Sequence, residues 1–261
     1  MTMNVSEIGT TVNIENIPFE TDLGIGARAK IGILVLATDH TMEYEFRKVI
    51  NIPGVAFYHS RIPNSPNITP ETLSEMENDL ANRAAIILPG VDLDVVAYGC
   101  TSASMVLGEE TVFARIREGR PEAKPTTPIT AAFAAFDAFK ARRIAVLTPY
   151  TREVNNQVRA YITSRGFEIP VFGSFDKGDD NVVARISSDS IRQAILQVGK
   201  RDDVDMVFLS CTNLRFAEIV NEVESELGKP VTSSNHAMAW HCLRLAGIDD
   251  RLPQFGQLYN L

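Results

Sequence analysis

Cysteine is scarce in this chain of 261 residues. There are three, an odd number, so a disulfide framework is not expected and each is read as a free thiol. No Cys-x-x-Cys or His-x-x-x-His spacing occurs, which removes the usual signatures of a protein-bound metal, and none is expected. A basic surplus is also lacking. The net charge of -8 argues against a general nucleic-acid binder, which would concentrate Lys and Arg against phosphate. Apolar runs are short: 31–37 and 84–88 fall far below the roughly 20 residues that span a bilayer. The first 27 residues contain no Lys or Arg and no apolar core, so no secretion signal is expected and the chain is read as cytoplasmic. There is no P-loop, and Gly24-Ile-Gly26 precedes the first strand instead of following one, so no nucleotide cofactor is indicated.

What is present is an ordinary globular composition, 45% hydrophobic and 22% charged. Short apolar runs at 30–37, 55–59, 95–98, 143–147, 171–173, 205–210 and 230–232 alternate with helical patterns at 69–88, 188–198, 215–227 and 235–247. Such alternation predicts an α/β fold with mainly parallel sheets. Thr69 before Pro70 reads as a helix N-cap followed by proline at the first helical position.

The second half of the chain repeats the first. Asp94-Val-Val-Ala-Tyr-Gly-Cys100-Thr-Ser lies over Asp205-Met-Val-Phe-Leu-Ser-Cys211-Thr-Asn at an offset of 111 residues. Lys30-Ile-Gly-Ile-Leu-Val lies over Arg143-Ile-Ala-Val-Leu-Thr at an offset of 113. Two pseudo-symmetric Rossmann-like lobes with a cleft between them follow from this. The expected organisation is an N-terminal arm over 1–27, a first lobe over 28–138, a second lobe over 139–242, and a segment over 243–261 that returns to the first lobe. The arm has no place in either repeat, which makes a homo-oligomer an expectation.

The repeat carries the chemistry. Each copy runs from an apolar strand into Cys-Thr and then a helical pattern, putting Cys100 and Cys211 at strand carboxyl ends, where open α/β sheets bind ligands. A helix start behind each sulfur is expected to lower the thiol pKa. Thr101 and Ser102 in one copy, and Thr212 and Asn213 in the other, offer neutral donors for a carboxylate. A single cysteine after a strand is usually a small hydrophobe. Two at equivalent positions of a repeat are not explained that way, and they suit a two-base proton transfer in which one thiolate takes a proton and the opposite thiol gives one. Cys242, inside the last helical pattern and without a repeat partner, is read as core.

With these two Cys-Thr motifs the chain resembles the aspartate/glutamate racemase superfamily, and within it the maleate isomerase and arylmalonate decarboxylase group, over nearly everything after Arg28. The resemblance implies two Rossmann-like lobes and a small carboxylate held between the cysteines without metal or organic cofactor. It implies substrate contacts from Tyr150, in Leu-Thr-Pro-Tyr-Thr, from Asn181, in Asp-Asp-Asn-Val-Val-Ala-Arg, and from the turn Ala37-Thr38-Asp39-His40-Thr41-Met42-Glu43. In that turn Asp39 stands where maleate isomerases have an asparagine that binds a substrate carboxylate. A carboxylate there would repel maleate unless protonated, or would pair with a substrate amine or amide. The run Leu36 to Phe46 is most similar to the ectoine-utilisation branch. Arylmalonate decarboxylases resemble this chain but keep only the second cysteine, with glycine at the first. The reading is therefore an isomerase or racemase of a small carboxylate; a malonate-type decarboxylase and a non-catalytic ligand-binding protein are the alternatives.

Overall fold

The computed structural model describes residues 4–8 and 11–261. An antiparallel hairpin of β1 (Asn4–Ile8) and β2 (Thr11–Glu15) precedes the lobes. Residues 1–3 and 9–10 of the expected arm lie outside the described residues. Beyond β2 the arm forms no helix or strand up to Arg28 and exposes Phe19, Leu23 and Ile25. Among the described residues no helix is long and apolar enough to cross a membrane.

The first lobe comprises β3 (Ala29–Leu36), α1 (Met42–Val49), β4 (Val55–Ile62), α2 (Pro70–Glu75), α3 (Glu77–Ala85), β5 (Val95–Gly99), α4 (Thr101–Leu107), α5 (Glu109–Gly119) and β6 (Lys124–Thr126). After α6 (Pro128–Ala138) come β7 (Ile144–Thr148), α7 (Arg152–Ser164), β8 (Phe172–Ser174), α8 (Asp180–Val183), α9 (Ser188–Gly199), β9 (Met206–Leu209), α10 (Val220–Leu227), β10 (Val231–Ser233) and α11 (Ser234–Leu245). The two sheets are parallel throughout, with strand orders β4-β3-β5-β6 and β8-β7-β9-β10. The repeat seen in the sequence is thus a repeated topology. The first strand of each lobe sits between its second and third, and the Cys-Thr motif follows the third.

Both central strands of each sheet are buried along their length, as expected where helices cover both faces. The expected helix over 69–88 is two helices that meet at Met76. Its start matches expectation: the Thr72 amide donates to Thr69 Oγ1 at 3.3 Å and the Thr69 amide returns to Thr72 Oγ1 at 3.1 Å.

Two helices join the lobes. In α6, Ile129, Ala132 and Phe136 pack into the core of the second lobe, while Ala131 and Ala135 belong to that of the first. The helix α11 is buried along most of its length, its polar first turn of Ser234, Asn235 and His236 included. Its Ala237, Met238, Trp240, Cys242 and Leu243 pack with β3 and α1 residues of the first lobe, where Leu258 and Tyr259 of the C-terminal segment join them. Cys242 is therefore a core residue, and burial pushes its thiol well above the ordinary range.

Gly99, immediately before Cys100, is where Met42 of α1 packs against β5. A Cβ there would lie 2.5 Å from Met42 Cε and 2.8 Å from the Leu34 carbonyl oxygen. The small residue lets Met42 fill the space beneath the cysteine turn. Gly99→Ala is expected to lower stability by about 1–3 kcal/mol through overpacking, seen as a fall in the urea midpoint at unchanged m-value. An unshifted midpoint would show that Met42 yields freely.

Candidate active site

Each cysteine is set by the end of a buried strand, but the two ends are built differently. At Cys100 the backbone is extended and the residue is the N-cap of α4. Its sulfur accepts from the Ala103 amide at 3.5 Å, and the Ser102 hydroxyl lies 3.7 Å away. Thr101 donates to Ser234 Oγ at 2.7 Å, tying this turn to α11. At Cys211 the sulfur accepts from the Asn213 amide at 3.4 Å, yet no helix follows. The expected helix over 215–227 begins only at Val220, after a series of turns. The turns are held by Glu45 of α1, a buried carboxylate whose Oε1 accepts from the Phe216 and Ala217 amides at 2.5 and 2.7 Å. The Glu45 Oε2 accepts from Asn235 Nδ2 at 2.9 Å, and the same Nδ2 donates to the Thr212 carbonyl at 2.6 Å. Glu45 occupies the donors that a following helix would have consumed.

Desolvation outweighs the helix start. The thiols are 5% and 4% exposed. Burial pushes Cys100 up to about 11 in spite of the Ala103 amide, and it pushes Cys211 well above the usual thiol value, with the Asp180 charge adding to the effect. The expected lowering is therefore reversed: burial favours the protonated form of both thiols at neutral pH.

Between the lobes the two sulfurs line one small cavity. Six of the residues anticipated from sequence line it: Cys100, Thr101, Ser102, Tyr150, Cys211 and Thr212. Tyr150 is buried, and desolvation together with the Cys211 and Cys100 sulfurs keeps its hydroxyl protonated. The other four stand behind the wall. Asp39 caps the start of α1, its Oδ1 accepting from the Thr41 and Met42 amides at 2.8 and 2.7 Å. It is 3% exposed, its Oδ2 has no hydrogen-bond partner among the described residues, and burial raises it to about 7. Asn213 ties the lobes together: its Oδ1 accepts from the His40 amide at 2.9 Å, and its Nδ2 donates to Asp180 Oδ1 at 3.0 Å. Thr38 donates its hydroxyl to Asp180 Oδ2. Asn181 faces outward, its Oδ1 3.1 Å from His40 Nε2.

Sequence reading missed Asp180 and the loop of Asn64, Ser65 and Asn67, all of which line the cavity. The loop leaves the carboxyl end of β4, the same edge that pointed to the cysteines, so the strand-end rule carried that signal. Asp180 gave less: it differs from its neighbour Asn181 only in being the first residue of α8, capped by Asp179. The two missed segments close on one another, with the Ile68 amide on the Gly178 carbonyl and the Asp180 amide on the Pro66 carbonyl, each at 3.0 Å. Among the described residues no group of three or more His, Cys, Asp and Glu side chains is placed to hold a metal ion.

A pair of parallel α/β lobes of equal strand order, each delivering a strand-end cysteine to the cavity between them, defines a two-lobed protein of the aspartate/glutamate racemase superfamily. Residues 66–259 match the arylmalonate decarboxylase family model, and the chain belongs to that family, in the group that includes the maleate isomerases. It is 30% identical to a maleate isomerase of Geobacillus stearothermophilus over 88% of this chain and 97% of that one. An arylmalonate decarboxylase of Bordetella bronchiseptica is 28% identical over 68% of this chain and 71% of its own. The crystal structure of a maleate isomerase from Pseudomonas putida superposes with a TM-score of 0.82 at 26% identity, covering 88% of this chain and 98% of that one.

The raised thiols are open to direct measurement. Iodoacetamide attacks thiolate, so labelling of Cys100 in the native protein, followed by mass spectrometry, is expected to accelerate about tenfold per pH unit from pH 7 towards pH 10. A rate already independent of pH at 7 would mean that the helix start, and not burial, sets this thiol.

Proposed function

We propose that this chain is a cofactor-independent isomerase of a small carboxylate, working through Cys100 and Cys211. The observation that carries this reading is the shared cavity, in which two strand-end thiols from different lobes meet neutral hydrogen-bond donors. Of the two sulfurs, Cys100 is the easier to ionise: an amide and a hydroxyl offset part of the burial of each, Ala103 and Ser102 at Cys100 and Asn213 and Tyr150 at Cys211, but the Asp180 charge ranks higher among the causes that raise Cys211. It is therefore the thiolate, and Cys211 is the acid.

On an enoate, the Cys100 sulfur adds to one alkene carbon while Cys211 gives its proton to the other. The carbon-carbon bond, now single, turns. Cys211 then takes a proton back, the carbon-sulfur bond breaks, and the double bond re-forms in the other geometry. On a substrate with an acidic Cα–H, the same pair acts by 1,1-proton transfer: Cys100 removes the proton and Cys211 delivers one to the opposite face. In both courses the pair begins and ends with one thiolate and one thiol. The presence of cysteine at both positions favours these courses over one-sided protonation after loss of carbon dioxide, which needs only one. The finer reading is a carboxylate that also bears an amine or amide, as an intermediate of ectoine catabolism would, and it is supported by Asp39 and the surrounding run Leu36 to Phe46.

Cys100→Ser and Cys211→Ser are each expected to reduce kcat by roughly 10²–10⁴-fold, while Cys242→Ser leaves it unchanged. Turnover that survives both active-site changes would overturn the assignment; release of carbon dioxide from a malonate that survives Cys100→Ser would favour the decarboxylase instead. Since kcat/KM reports ionisation of the free enzyme and the thiolate is the active form, kcat/KM is expected to rise with pH from neutrality towards about 11, the value to which burial pushes Cys100. A profile that is flat or falling from pH 7 to 9 would remove Cys100 as the ionising group.

A further inference from the structure

We propose that Asp180 selects the substrate by pairing with a protonated amine on a small carboxylate; this rests on the cavity being the isomerase site argued above. Asp180 opens α8, and its carboxylate lines the same cavity as both sulfurs while only 6% exposed. Each of its oxygens meets a neutral donor, Oδ1 from Asn213 Nδ2 at 3.0 Å and Oδ2 from the Thr38 hydroxyl. These fix the carboxylate in place but bring no positive charge, and each oxygen keeps room for a further donor. No Lys, Arg or His lines the cavity among the described residues. His40, whose charge would reach Asp180, is exposed and engages Asn181 instead. A buried carboxylate with neutral partners and open accepting capacity is a poor wall for an anion and a good one for an ammonium group.

The remaining polar lining divides the cavity. Beside the sulfurs the Ser102 hydroxyl is a neutral donor, able to serve a carboxylate without a cation, whereas the Thr101 and Thr212 hydroxyls already donate to Ser234 Oγ and the Gly99 carbonyl. Asp180 lies where its own backbone meets the Pro66 carbonyl, on the side of the cavity closed by the Asn64 to Asn67 loop. A plain dicarboxylate would have to bring its second negative group to that side. Behind the wall, the unpartnered Oδ2 of Asp39 adds a second buried carboxyl group and strengthens the bias. An ammonium on Asp180 would do more than bind. The Asp180 charge is among the causes that lift both thiols, so neutralising it brings the sulfurs closer to ionisation when the right substrate is present.

The test compares two inert four-carbon probes that differ in one end group, 4-aminobutanoate and succinate, by calorimetric titration of the wild-type protein and of Asp180→Asn. Neither probe is a substrate for thiol chemistry, so the result stands whether or not isomerase turnover is found. The expected result is that 4-aminobutanoate binds the wild type at least about tenfold more tightly than succinate, and that Asp180→Asn abolishes or inverts the preference. Equal or tighter binding of succinate to the wild type overturns the proposal, as does a folded Asp180→Asn protein with the same preference, or failure of 4-aminobutanoate to bind at millimolar concentration. Should Asp180→Asn not fold, the wild-type ratio decides alone.

Discussion

Taking a thiol out of water favours its protonated form, and this protein does so twice in one cavity, at the carboxyl ends of β5 and β9. The rest of the architecture serves that placement. Equal strand order in the two lobes brings equivalent strand ends to the same cleft, and the buried central strands give the cysteines a rigid footing. Gly99 allows α1 to pack beneath one of them, and Glu45 of the same helix holds the loop behind the other. One helix of the first lobe thus supports both sulfurs, and α6 and α11 bind the lobes into a shared core.

Pseudosymmetry is broken at the two sulfurs, as the proposed chemistry requires. Racemisation and thiol addition each require one sulfur charged and one protonated, and two equivalent environments would not decide between them. Here Cys100 receives the start of a helix and a serine hydroxyl, whereas Cys211 receives turns, a tyrosine hydroxyl and a greater effect from Asp180. The difference lies less in the strands, which the repeat conserves within the chain, than in the segments that follow them. Divergence after a common strand end is enough to give one fold two different thiols.

The sheets, the internal repeat and both cysteines were legible because each depends on local pattern: apolar runs set strands, and a repeated Cys-Thr dipeptide after a strand sets a position on the cleft. Three things were not. The effect of burial on the thiols depends on how completely the second lobe and the Asn64 to Asn67 loop cover them, which is a property of the assembled cavity. The fate of Asp39 turned on whether its carboxylate faced the cleft or capped α1, and the segment Thr38-Asp39-His40-Thr41 fits either. Asp180 was passed over for Asn181, one residue away, because only the geometry of a four-residue helix separates the side chain facing the cavity from the one facing His40. Where a residue sits was readable; which way it points was not.

On the proposed mechanism, two thiols acting on opposite faces of one substrate leave a trace on the substrate's carbon-bound hydrogens. Proton NMR in heavy water, with maleate and amine-bearing small carboxylates as substrates, reads that trace directly. The two-thiol cavity predicts either a change of alkene geometry or replacement of a single Cα hydrogen by deuterium, with the carbon skeleton intact. Loss of carbon dioxide as the only reaction, or no change in any of these carboxylates, would contradict it.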